Sequence, residues 1–175
     1  MSKISVRDLK QYLNQRTHDE LANDIAILFK KFDVVKDYYR IQLDETSTEE
    51  IVDRYKADIK REFFPARGFG KARLSVARKA ITDCKKVVTS HQDIADLMLY
   101  YVEMGVTFTA AYGDINEPFY HSMESMYERV TKLIVEHNMQ DQFEVRCKKI
   151  LRKTAGMGWG FPDELKAIYD EHFDT

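Results

Sequence analysis

Ile94-Ala95-Asp96-Leu97-Met98-Leu99-Tyr100-Tyr101-Val102-Glu103-Met104-Gly105-Val106-Thr107-Phe108-Thr109-Ala110-Ala111 is the most apolar segment of the chain. Leu97, Tyr101, Met104 and Phe108 recur at helical spacing, with Met98, Tyr100 and Val102 alongside. A helix apolar around this much of its circumference belongs at the centre of a bundle, because one neighbour cannot cover it. The alternation Val106-Thr107-Phe108-Thr109 would also suit a strand, yet no second strand pattern exists to pair with it. Ser90 with Asp93 starts the helix, and Gly105 lets a neighbour approach closely.

The same period runs outward in both directions. Ser5 caps a first helix carrying Leu9, Tyr12 and Leu13. Thr17-His18-Asp19-Glu20 is a capping box opening a second, with Leu21, Ile25, Leu28, Phe29 and Phe32. Asp33 is read as the cap of a third, with Val34, Val35, Tyr38 and Tyr39. Ser47-Thr48-Glu49-Glu50 is another capping box, followed by Ile51, Val52, Tyr55, Ile59 and Phe63 until Pro65 stops the helix. Leu74, Ala77, Ile81, Cys84 and Val88 give the next. Beyond the apolar segment, Asn116-Glu117-Pro118 opens a helix that His137-Asn138 closes with a left-handed cap. Asp141 and Glu144 open another, ending near Ala155-Gly156, and Gly160-Phe161-Pro162 begins the last. The expectation is one all-α domain over residues 1–175. About nine helices form antiparallel pairs, as a short curved helical array or an orthogonal bundle.

Composition narrows the function classes. The chain has 175 residues, 44% hydrophobic and 32% charged, which favours neither disorder nor a membrane protein. A net charge of −2 gives no general affinity for nucleic acid. Cys84 and Cys147 have no metal-ligand spacing and read as reduced, partly buried thiols. The alternative is a redox role, since Lys85-Lys86 and Lys148-Lys149 would lower a thiol pKa. The first residues carry no apolar signal core, so a cytoplasmic location is expected.

Three places invite a chemical reading. Arg67-Gly68-Phe69-Gly70-Lys71-Ala72-Arg73 has glycines that free the backbone, three cations, and a following helix N-terminus. It is not a P-loop, which needs four residues between its glycines and Ser or Thr after Lys. Between Lys56 and Lys86 stand ten Lys or Arg against three acids. Ordinary solvated cations, an anionic partner surface, and a phosphate site at Arg67, Gly68, Gly70, Lys71 and Arg73 all remain open. Glu117, His121, Glu124 and Glu128 form a stripe resembling half of a carboxylate-bridged metal site. The stripe lies opposite the apolar line Phe119, Met123, Met126, Val130 and Leu133, so it reads as a solvated face and no metal is expected. Gly156-Met157-Gly158-Trp159-Gly160-Phe161 sets the only tryptophan among glycines. Trp159 and Phe161 either present an aromatic surface to a partner or fold back to seal the core. No Ser-His-Asp or Cys-His arrangement is identifiable among the scattered histidines, and no cofactor is expected.

The stretches Phe63-Phe64-Pro65-Ala66-Arg67-Gly68-Phe69-Gly70-Lys71-Ala72-Arg73-Leu74-Ser75 and Tyr112-Gly113-Asp114-Ile115-Asn116-Glu117-Pro118-Phe119-Tyr120 resemble a family of short bacterial proteins of unknown function. The resemblance implies a bacterial, cytosolic, all-helical protein and transfers no activity, cofactor or catalytic residue. The leading expectation is a non-enzymatic macromolecular binding or adaptor protein with a protein partner and no membrane. A phosphate-ligand protein or enzyme using the Arg67/Lys71/Arg73 loop, and nucleic-acid binding through segment 56–86, are the alternatives.

Overall fold

The computed structural model describes residues 4–44 and 47–173, with the side chain of Ser47 left out. Among the described residues nine helices follow one another: α1 (Val6–Leu13), α2 (His18–Lys31), α3 (Asp33–Leu43), α4 (Ser47–Phe63), α5 (Leu74–Cys84), α6 (His91–Tyr112), α7 (Glu117–Glu136), α8 (Gln140–Lys153) and α9 (Phe161–Phe173). The Val106–Thr109 alternation lies within α6, so the protein is all-α.

Most helix ends are set by the local signals. Ser5 and Thr17 form complete capping boxes with Asp8 and Glu20. The Ser90 hydroxyl accepts from Asp93 N–H at 3.2 Å, and the Asn116 side chain from Phe119 N–H at 3.0 Å. Asn138 takes the left-handed turn after α7, with φ 54°. Asp33 is a correction: it is the first residue of α3, not its cap, and its carboxylate accepts from Lys36 at 2.7 Å. The Ser47 capping box lies outside the described side chains.

The helices from α4 to α9 form the body around one core that runs from Ile51 to Tyr169. Contacts there skip along the chain, α4 on α6, α6 on α8 and α7 on α9, which makes a bundle and not a linear array. The apolar segment is its centre: Leu97, Met98, Leu99, Tyr101 and Val102 of α6 are all buried. Each such side chain stabilises the fold by about 1.5–3 kcal/mol. Gly105 is where α7 comes closest, since a Cβ there would stand 2.2 Å from the sulfur of Met123. Arg146 of α8 grips Glu103 at 2.6 and 2.9 Å and also donates to Asp96, which accepts from Lys56 of α4 at 2.6 Å. Burial raises the Asp96 pKa, but hydrogen bonds from Lys56 and Arg146 outweigh it and leave the carboxyl below its ordinary value. Cys84 and Cys147 are buried and unpaired, and burial pushes both thiols up to about 12. Burial therefore outweighs the nearby cations, Arg54 and Lys85 at Cys84 and Arg146 at Cys147, and speaks against the redox reading.

The helices α1 to α3 form an arm on a different plan. They fully bury no apolar residue, although Leu13, Leu21, Phe29, Val35 and Tyr39 are half-buried; the one buried residue is Asp37 of α3, 0% exposed. Val34 and Ile41 share its face and pack half-buried against the body. Asp37 Oδ2 accepts from Arg54 and, at 2.9 Å, from the hydroxyl of Tyr55, both on α4. Its Oδ1 is buried without a hydrogen-bond partner among the described residues.

Candidate functional site

The basic loop after α4 is a strap folded back onto the helix it leaves. A Cβ on Gly70 would come within 1.8 Å of the Phe63 carbonyl oxygen, so glycine is required there by contact with the protein itself. Ala72, with φ 44°, donates its N–H to the Glu62 carbonyl at 2.8 Å. Arg73 then holds the Glu62 carboxylate with two hydrogen bonds, at 2.8 and 2.7 Å. Those bonds keep the Glu62 carboxyl below the usual range. Arg67, Gly68 and Lys71 stay exposed, and the two cations make no hydrogen bond among the described residues. The phosphate reading thus loses Arg73 as a free cation and Gly70 as a free backbone position.

Part of the rest of the basic segment is paired as well. Lys56 meets Asp96, Arg61 meets Asp58 at 2.8 Å, and Lys79 and Lys86 share Asp83. Lys60, Arg67, Lys71, Arg78 and Lys85, half of the segment's ten cations, have no ion-pair partner among the described residues. The segregated positive charge is therefore only partly compensated in space.

The loops Gly113–Pro118 and Gly156–Gly160 dock on one another. Asp114 Oδ1 accepts from the Tyr120 hydroxyl and, at 3.0 Å, from Gly158 N–H. A Cβ on Gly158 would stand 2.6 Å from the same carboxylate, so the close approach needs glycine. The aromatic pair predicted to work together is divided by this arrangement. Trp159 is 61% exposed, with φ 60°, whereas Phe161 is 0% exposed and packs against Tyr120 with ring centroids 4.8 Å apart and the planes tilted by 42°. Phe161 seals the core and presents nothing to a partner, which corrects the expectation for that residue. Trp159 borders a cleft with Glu117, His121, Glu124 and Glu164. Most of the carboxylate stripe is thus exposed as expected, but Glu124 is half-buried, and burial beside Glu164 raises its pKa. Among the described residues no cluster of His, Cys, Asp or Glu is arranged to hold a metal ion.

The arm supplies a surface that periodicity hid. Leu9 and Tyr12 of α1, Ile25, Ile27 and Leu28 of α2, Phe32, and Tyr38 of α3 are all exposed. The helices α2 and α3 lie side by side, with Phe29 edge-on to Tyr39 at 6.4 Å. Exposed apolar side chains that gather into one patch mark interaction surfaces. No helix is long and apolar enough to cross a membrane among the described residues.

Neither a curated protein nor a solved structure matches the chain. A family model, however, matches residues 1–174, and the chain belongs to DUF6155, a family of unknown function.

Proposed function

We propose that the protein is a non-enzymatic, cytoplasmic binding or adaptor protein that takes a helical segment of a protein partner on the apolar face of α1–α3. One observation carries this reading: no apolar side chain on these three helices is fully buried, and Leu9, Tyr12, Ile25, Ile27, Leu28 and Tyr38 are exposed. The exposed apolar side chains of α2 and α3 are of the kind on which an amphipathic helix sets apolar anchors at helical spacing. The described arm carries as many acids as bases, so no net field favours nucleic acid or anionic lipid. Two unpaired buried thiols support a reducing compartment.

A photo-crosslinking amino acid at Leu28, with Val145 of α8 as an equally exposed control, tests the proposal in the native host. The expected result is one protein cross-linked at Leu28 but not at Val145, and lost on Ile25→Asp. A peptide spanning the cross-linked segment should then bind the purified protein and gain helicity. Cross-linking of Leu28 only to a second copy of this chain, or the same products at both positions, overturns the reading.

A further inference from the structure

Away from the arm, α5 and α7 face each other across a small cleft of about 190 Å³. From α5 come Arg78, Thr82 and the capping residue Lys85, spaced four and three apart; Met126 and Arg129 come from α7. Ile81 and Met126, both buried, form the floor. No carboxylate lines the cleft. Unlike Lys56, Arg61, Arg73, Lys79 and Lys86, none of its three cations has an ion-pair partner among the described residues.

Gathering like charges without a counter-charge raises the free energy of the site. The effect registers on Lys85, whose amine is held below its ordinary value by burial and by Arg129. Arg78 is also held in place. Its Nη1 donates to the Ser122 hydroxyl at 2.8 Å, and that hydroxyl shares a hydrogen bond of 2.9 Å with the Tyr101 hydroxyl. Ser122 and Tyr101 are both buried, so the guanidinium is anchored by a polar line rooted in the core. A fixed guanidinium with donors to spare, flanked by two more cations over an apolar floor, is the arrangement a multiply charged oxyanion satisfies.

We propose that the Arg78–Lys85–Arg129 cleft is a binding site for a phosphoryl dianion, the chemistry shared by small phosphate monoesters and free phosphate. The volume suits one phosphoryl group with a few carbon atoms over Ile81 and Met126. A nucleic-acid strand would need cations strung along a groove with aromatic rings for stacking, and no aromatic residue lines this cleft. The site is separate from the apolar face of the arm, and either can stand without the other.

Calorimetric titration of the full chain with inorganic phosphate and with phenyl phosphate is the test. Saturable one-to-one binding of at least one probe is expected, weakened at least about tenfold by Arg129→Gln and by Lys85→Gln. The double variant Arg67→Gln/Lys71→Gln should bind as the parent does. Both cleft side chains are exposed, and unchanged thermal melts will show that these variants still fold. Tighter phenyl phosphate assigns the site to an organic monoester resting on the floor; tighter inorganic phosphate assigns it to the free ion. Absence of saturable binding by both probes, or affinities unmoved by the two cleft variants, overturns the proposal. So does a single-stranded oligonucleotide that displaces the probes and is weakened equally by loop and cleft variants.

Discussion

The arm and the body are built from helices of equal local quality and opposite burial. The arm contains both complete capping boxes of the described structure, at Ser5 and Thr17, yet it fully buries no apolar side chain. In the body, α5 and α8 begin without any side-chain cap, yet Ile81, Cys84, Cys147 and Ile150 are buried. Capping satisfies the free backbone groups of a helix end and so sets where a helix starts. It contributes nothing to whether an apolar face finds a cover. The arm is held by neighbours in sequence, α2 on α3 within it and α3 on α4 at its joint with the body, while the body adds contacts that skip along the chain, α4 on α6, α6 on α8 and α7 on α9. Local order and tertiary burial are thus separable in this chain.

The sharpest way to break the comparison is to make one deletion in both regions. Leu99→Ala in α6 should cost about 3 kcal/mol in urea unfolding, because Leu99 is fully buried and leaves a cavity. Leu28→Ala in α2 should stay within about 0.5 kcal/mol. Equal costs would mean that the arm is covered in solution, and the contrast would fall.

A second effect, of similar size, probes the joint between the regions. Arg54→Met leaves the Asp37 carboxylate buried with only the Tyr55 hydroxyl, and should cost about 3 kcal/mol of arm docking. Asp37→Asn should cost less, since Arg54 is 39% exposed and can rehydrate. Amide exchange should speed up across α3 and stay unchanged in α6; faster exchange in both would show one cooperative unit.

The smallest effect concerns pH. The Glu62 carboxyl is lowered on folding by Arg73, so the pair's contribution is present above the unfolded carboxyl pKa. It is lost as pH falls through the folded pKa. Glu62→Gln should therefore lower the melting temperature by at most about 3 °C at neutral pH, because Arg73 is largely exposed, and by less in acid. A deficit that grows as pH falls would reverse the sign and refute the pairing.

Much of the fold could be read from the sequence. The starts at Ser5, Thr17, Ser90 and Asn116, the stop before Pro65, the central α6 and the close approach at Gly105 all rest on residues within a few positions of one another. The candidate sites were far less legible. Periodicity marks Ile25, Leu28 and Phe32 as one apolar face but carries no information on whether anything covers it. Gly70 looked like a phosphate-loop glycine, and only the returning strap shows its neighbour to be the Phe63 carbonyl. Arg129 carries no signal linking it to Arg78 and Lys85, because the link is made by the packing of α5 and α7 around α6. Asp37 was missed because a charged residue in an amphipathic pattern defaults to solvent. The one available hint was its spacing from Val34 and Ile41, which places it on the inward face.

Asp37 has a further consequence, for how firmly the arm is held. Its Oδ1 is buried without a hydrogen donor among the described residues, a condition that costs the docked arm about 1–3 kcal/mol. Opening the joint hydrates that atom at once, so part of what is lost in breaking the contacts to Arg54 and Tyr55 is returned by water. Docking of α3 on α4 is therefore weaker than the contacts of Asp37 to Arg54 and Tyr55 alone would make it.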